Sequence, residues 1–425
     1  MSAPDDEPAA PATPDDDSVG DAVAPEAAER ADAGQAPTLR ASRVEDGALV
    51  LTFPDPDHAL AGVRLWAHLS TPLEREYASV PGGWELAQPV PDLDRLEYLV
   101  EIREAGHAGG EADAAAEAGP THLGLDPTNP LRVGGAFGDH SWLPMPGYAP
   151  PVWTATPPAE HHVETWTLEH GAGAHDGELV VRVVSPRDTG PADALPMVMA
   201  HDGPEMDALG GLVHCLDALA AAGRAPRVRV ALLSPGPDRD ARYSARPEYA
   251  RTLATATAVL TSRWPTPGAP VLLGASLGAL AALHAEWTQP GTFAGLFLAS
   301  GSYFTPALDP GESSFPHWDA ITSFTAEVAA ADRPPAAPPV ALVCGTAEEN
   351  LGNNEAMAAH LRRLGLDVDT ATVRDGHCYT AWRDLLDPAL PDLLRRAWGG
   401  PGAAEATGTP DTHGTPDSTG SPEEP

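Results

Sequence analysis

Apolar side chains recur at every second position through the first third of the chain. Leu49, Leu51 and Phe53 form one alternating set, and Val63 and Leu65 a second. Over Arg95–Ile102, the residues Leu96, Tyr98, Val100 and Ile102 fall on one face. Period two is the signature of a half-buried strand. Pro54-Asp55-Pro56-Asp57 and Pro81-Gly82-Gly83 supply the turns between strands. Residues 39–135 are therefore expected to form a small β-sandwich, with the Ala- and Gly-rich run Glu104–Pro120 as an inserted loop. A proline- and aromatic-rich connector, 136–160, follows and carries Trp142, Tyr148 and Trp153.

Beyond it the pattern changes. Short apolar runs at 179–184, 196–200, 228–233, 270–274, 294–299, 340–344 and 367–373 read as strands. Amphipathic stretches at 207–222, 247–263, 277–287, 318–330, 353–364 and 380–397 read as helices between and after them. Strands alternating with helices imply an α/β domain, 161–399, with a mostly parallel sheet covered on both faces.

Residues 1–38 and 400–425 are Ala-, Pro-, Gly- and acid-rich, with almost nothing apolar to bury, and are expected to be disordered acidic tails. The formal charge of -36 disfavours nucleic acid and anionic membranes as partners. No run of about 18 apolar residues appears, and the opening residues lack the basic and apolar regions of a signal peptide. A cytoplasmic location is the expectation. All basic residues are arginine, which fits a GC-rich coding bias. Cys215, Cys344 and Cys378 are too few and too scattered for a disulfide framework or a CxxC metal site. His161, His162, His170 and His175 fit no metal-ligand spacing and read as strand-edge or loop residues.

The chemistry is concentrated at Val271–Gly278, where an apolar strand runs through Gly-x-Ser-x-Gly into an alanine-rich helix. A sharp strand-to-helix turn lifts the Ser276 hydroxyl clear of the sheet, and small residues at 274 and 278 permit the close approach. The N–H of Leu277 then lies at a helix N-terminus, where a developing oxyanion is favoured. A serine nucleophile needs a base. His377, in the short loop after the last strand, is the candidate. The third member should be a carboxylate between them, after the strand at 340–344. Glu348 is the choice and Glu349 the reserve, giving the order Ser, acid, His. A second oxyanion donor should come from the loop after Ala200. Pro204 has no N–H, which leaves Asp202, Gly203 and Glu205 open.

These residues resemble the ferric enterobactin (enterochelin) esterases and their esterase D-type relatives. The likeness rests on His201-Asp202-Gly203, Gly274-Ala275-Ser276-Leu277-Gly278, Gly345-Thr346-x-Glu348, and Gly376-His377 followed by Trp382-Arg383. In the N-terminal part it rests on Pro81-Gly82-Gly83-Trp84, Leu96-Glu97-Tyr98 and Leu125-Asp126-Pro127-x-Asn129-Pro130. The resemblance implies an immunoglobulin-like first domain, an α/β-hydrolase second domain and an ester substrate such as an iron–siderophore complex. It also implies substrate contacts from Arg239, Trp382 and Arg383. Family members often carry Arg-x-x-Glu where this chain has Arg239-Asp240-Ala241-Arg242, so a carboxylate partner for Arg239 is missing from that motif.

The expected function is a serine esterase needing no metal or organic cofactor, with a small-molecule ester as its partner. A general acyl or carbohydrate esterase is the alternative within the class, and a non-catalytic ligand-binding protein the alternative outside it. The first domain is expected to serve substrate choice more than chemistry.

Overall fold

Period-two patterning in the first third folds into two antiparallel sheets. The computed structural model describes residues 39–105, 119–136, 138–168 and 178–399. The strands are β1 (Arg43–Glu45), β2 (Ala48–Pro54), β3 (Leu60–Trp66), β4 (Ala78–Val80), β5 (Gly83–Pro89), β6 (Arg95–Glu104), β7 (Thr121–Gly124), β8 (Arg132–Gly135) and β9 (Gly138–Pro144). One sheet runs β1-β2-β5-β4, the other β3-β6-β9-β8 with β7 beside β6. Leu49, Leu51 and Leu86 of the first share a core with Val63, Leu65, Leu96, Tyr98 and Val100 of the second. Burying each such side chain contributes roughly 1.5–3 kcal/mol. The Asp126/Asn129 motif is a polar staple inside this layer. Tyr98 donates to Asp126 at 2.6 Å, and the Asn129 amide donates to the Trp142 carbonyl at 2.8 Å.

Strand β9 lies within the stretch expected as connector. It pairs with β6 through Leu143↔Leu96 and Trp142↔Glu97, which uses the alternating burial of Ser141 and Leu143. The inserted run 106–118, both tails, His170 and His175 lie outside the described residues.

The remaining chain builds β10 (His161–Leu168), β11 (Leu179–Pro186), β12 (Met197–Ala200), α1 (Gly203–Ala208), α2 (Leu212–Ala221), β13 (Arg229–Leu233), α3 (Arg239–Tyr243) and α4 (Pro247–Arg263). Then come β14 (Val271–Ala275), α5 (Leu277–Thr288), β15 (Gly295–Ala299), α6 (Trp318–Ala330), β16 (Val340–Gly345), α7 (Leu351–Arg363), β17 (Val368–Val373) and α8 (Tyr379–Trp398). The eight-stranded sheet has the order β10-β11-β13-β12-β14-β15-β16-β17. Pairs from β13 onward along that order are parallel, and the β10–β11 and β11–β13 pairs antiparallel. Helices α4 to α7 cover one face and α2 with α8 the other, each over its own apolar core. That two-sided cover is why β12 to β16 read as unbroken apolar runs rather than alternating ones.

The expected helix at 207–222 is two helices: the first ends at Ala208, and Gly211, at φ +67, breaks the run and caps the start of the second. Among the described residues no helix is long and apolar enough to cross a membrane.

Candidate active site

Strand β14 is fully buried and leads into Ser276, whose backbone sits at φ 56, ψ -125. A non-glycine residue rarely adopts that region, and there it stores strain. What holds it is close packing of backbone. A Cβ at Gly274 would stand 2.2 Å from the Gly278 carbonyl oxygen, so only glycine fits. The Ser276 N–H donates to Ala299 O at 2.9 Å, and its carbonyl accepts from Ala279 and Leu280 in the first turn of α5. His201 braces the other side of that turn. Its Nδ1 lies 2.9 Å from the Gly278 carbonyl, and complete burial lowers its pKa to about 4, so the ring is neutral and Nδ1 is the donor. The Ser276 hydroxyl lies 3.2 Å from that of Ser302.

His377 and Glu348 meet beyond the ends of β17 and β16. His377 Nδ1 lies 2.5 Å from Glu348 Oε2. The other carboxylate oxygen accepts from the Ser300 hydroxyl at 2.6 Å, the Gly345 N–H at 2.5 Å and the Cys344 thiol at 3.0 Å. Burial would raise the Glu348 pKa, but His377, Ser300 and Cys344 outweigh it and hold the carboxyl below its usual range. Glu349 turns away and faces His68 at 3.5 Å. Trp382, expected at the substrate, is buried. Its ring meets the His377 imidazole edge-on at 5.1 Å, and its N–H donates to Ser300 Oγ at 2.9 Å. Ser300, Cys344 and Trp382 thus form a collar around the Glu348–His377 pair. Nothing in the sequence pattern singles out the first two.

The loop after β12 holds the remaining candidates. The N–H of Asp202 points at the Tyr243 hydroxyl, 3.3 Å away. Gly203 opens α1, where N–H groups lack intrahelical partners. A Cβ there would stand 2.4 Å from Leu232 backbone. Leu277 holds the same first position on α5. The Asp202 carboxylate takes a bidentate pair from Arg239, both contacts at 2.8 Å. The carboxylate absent from position 242 is therefore supplied from the loop after β12. Arg242 itself is buried against the carbonyls of Ser234 and Glu178. Arg383 donates to Asp384 at 2.9 Å and to Tyr148 at 3.0 Å.

The sandwich reaches the loops of both Glu348 and His377. Ala347 is buried in the sandwich core, and its carbonyl accepts from Ser70 at 2.9 Å. The Asp94 N–H donates to Arg374 O at 2.6 Å, and a Cβ at Gly376 would stand 2.5 Å from Leu69. The His68 ring lies edge-on to His377 at 6.4 Å. The period-two reading of the first domain carries no trace of these contacts.

Residues 173–393 match the family model "Esterase", described as "Putative esterase". No curated protein sequence matches the chain. Among solved structures it is similar to the enterobactin esterase of Shigella flexneri in the presence of enterobactin. That match has 19% identity, covers 84% of this chain and 95% of that one, and has a TM-score of 0.62. The ferric enterobactin esterase of Salmonella typhimurium is similar at 17% identity, over 84% of this chain and 95% of that one, with a TM-score of 0.62. These likenesses span the sandwich as well as the α/β part and agree with the two-part fold described above.

Proposed function

Because the chain belongs to this esterase family and is a carboxylic-ester hydrolase, we propose that Ser276 is its nucleophile, His377 its general base and Glu348 the acid that orients the base. The observation that carries the reading is the 2.5 Å contact between His377 Nδ1 and Glu348 Oε2, taken together with a serine held at positive φ in a strand-to-helix turn. With Nδ1–H directed to the carboxylate, Nε2 is left free to accept a proton. Ser276 Oγ exchanges its Ser302 partner for His377 Nε2 as an ester enters, loses its proton and attacks the carbonyl carbon. The N–H groups of Leu277 and Gly203 stabilise the oxyanion. Gly203 is preferred to Asp202, whose N–H serves Tyr243. Collapse expels the alcohol, protonated by His377, and water repeats the sequence on the acyl-serine. Neither a metal nor an organic cofactor is needed for these steps.

For the substrate we propose a bulky ester, with a siderophore trilactone, free or iron-loaded, as the class to test first. Support comes from the likeness, over 84% of this chain, to the enterobactin esterases named above. One observation favours the second reading, a general acyl or carbohydrate esterase. Arg239 and Arg383, the arginines proposed to meet an anionic ligand, are each already paired with a carboxylate. A cytoplasmic location, with no nucleic-acid or membrane partner, completes the proposal. Ser276→Ala should lower p-nitrophenyl ester hydrolysis by about 10³-fold or more without unfolding the protein. Wild-type turnover in that variant would overturn the assignment. Comparing kcat/KM on a trilactone and on simple acyl esters decides between the two substrate classes.

A further inference from the structure

Arg95 is the first residue of β6 and belongs to the sandwich, yet its guanidinium is almost fully buried against the hydrolase part. Nε donates to Asp375 Oδ2 at 2.6 Å, and Nη2 lies 2.5 Å from the same oxygen. Nη1 lies 2.9 Å from Asp384 on α8 and donates to the Tyr148 hydroxyl at 2.8 Å, and that hydroxyl donates in turn to Asp384. Glu97 stands 3.7 Å away. One side chain therefore joins a strand of the first domain, the segment after β9, the loop carrying His377 and the last helix.

Asp375 is the point where that grip meets the proposed chemistry. It lies two residues before His377. Its Oδ1 accepts from the Gly376 N–H at 2.8 Å, and its carbonyl accepts from the Ala347 N–H at 2.9 Å, in the loop of Glu348. A Cβ at Gly345 would stand 2.3 Å from that same carbonyl, so the two loops are pressed together there. Whatever holds Asp375 holds the spacing of His377 from Glu348.

The arrangement is expensive to bury. Desolvation lifts the Asp375 carboxyl to about 7 even though Arg95 pulls it down. A buried pair of this kind adds little to stability compared with an apolar packing of the same volume. Its return is a fixed geometry. Misplacing a reacting group by about 1 Å costs on the order of 10²-fold in rate.

We infer that Arg95 is a positioning residue for the reaction: acting through Asp375, it makes the first domain part of the machinery that sets the general base. This goes beyond the expectation that the domain serves substrate choice. It rests on the reading of His377 as the base.

Asp375→Asn is the cleanest test, because Arg95 keeps Asp384 and the Asn oxygen still accepts from Gly376. On a small p-nitrophenyl ester, kcat should fall about 10-fold with KM changed less than about 3-fold, since no substrate contact is lost. Arg95→Met should fall further, about 10²-fold. Arg95→Lys should recover part of that loss, a point charge replacing the planar fork. The double variant R95M/D375N removes both charges of that pair and should regain much of the melting temperature lost by R95M while kcat stays low. Activity that returns in step with melting temperature would show that Arg95 only stabilises the fold. Wild-type kcat in folded D375N would overturn the inference outright. His377→Ala, run alongside, separates the two claims. An active H377A would sink the base assignment itself, whereas an inactive H377A beside an unaffected D375N would sink only the role of Arg95.

Discussion

Ser276 and His377 both stand beyond the carboxyl ends of parallel strands in one sheet, yet they are secured differently. Ser276 is fixed by Gly274, Gly278, Ala299 and Ser302, all within 26 residues of it, with His201 bracing from the next loop. The strain it stores is balanced by a buried strand and a buried helix of the same domain. His377 and Glu348 are neighbours of residues far away in the chain. Asp375 binds Arg95 across 280 residues, and Ala347 packs into the core of another domain. The turn at Ser276 is thus specified mostly by nearby sequence. The loops of His377 and Glu348, which we propose to carry the base and the acid, take contacts from the sandwich as well as from their own domain.

If the loops matter to chemistry as much as the elbow does, His377→Ala should cost turnover about 10³-fold or more. Combining it with Ser276→Ala should add little, because the two would act as a unit. Additive losses in steady-state kinetics would separate the two regions functionally. One step down, Glu348→Gln should lower kcat by about 10²-fold or more, since the imidazole loses the partner that sets its tautomer. Glu349→Gln should stay within about 3-fold. The reverse order would move the acid by one residue.

The elbow's local character predicts an effect on stability. Gly274→Ala places a methyl against backbone that cannot yield, and should cost about 1–3 kcal/mol by denaturant unfolding. An unchanged midpoint would mean the turn is looser than its packing implies.

The smallest effect concerns a histidine remote from the site. His284 is buried, which holds its pKa down to about 4 against the pull of Glu327 and Glu248. The unfolded chain takes up that proton near 6.5, and the folded one does so only near 4. Stability therefore rises with pH across this window and is lost on acidification. His201 adds to the same slope. Asp375, raised to about 7, opposes it, because there the folded state holds the extra proton. His284→Leu should flatten melting temperature against pH between about 6.5 and 4 and leave kcat at neutral pH alone. An unaltered slope would contradict the assignment of that histidine.

What could be read from the chain follows the same division. The alternation of Leu96, Tyr98, Val100 and Ile102 marked β6, and the apolar run 271–275 marked β14, because burial leaves a local period. Ser276, His377 and Glu348 were singled out by a turn motif and by the order of strand ends, and the structure puts the first in a strand-to-helix turn and brings the other two into contact. Strand β10 was not legible, although Glu164, Trp166 and Leu168 alternate as the half-buried positions of an edge strand. Polar His161, His162 and Thr165 diluted the pattern. Arg95 reads as the polar start of a strand, and Asp375 as a loop acid. Their roles arise only when β6 meets the loop after β17. Ser300 is equally silent, one serine in a Ser-Gly-Ser turn whose hydroxyl happens to face Glu348. Trp382 was expected at the substrate from the resemblance, and the structure shows it packed against the His377 imidazole, a contact the sequence alone does not distinguish from a ligand contact.

The central claim is that Ser276 is an activated nucleophile. Intact-mass analysis after exposure to a fluorophosphonate probe tests it without a known substrate. The account predicts a single adduct, mapped to Ser276 by peptide sequencing, that is absent in Ser276→Ala and slow to form in His377→Ala. An unlabelled native protein, or an adduct that persists in Ser276→Ala, would contradict it.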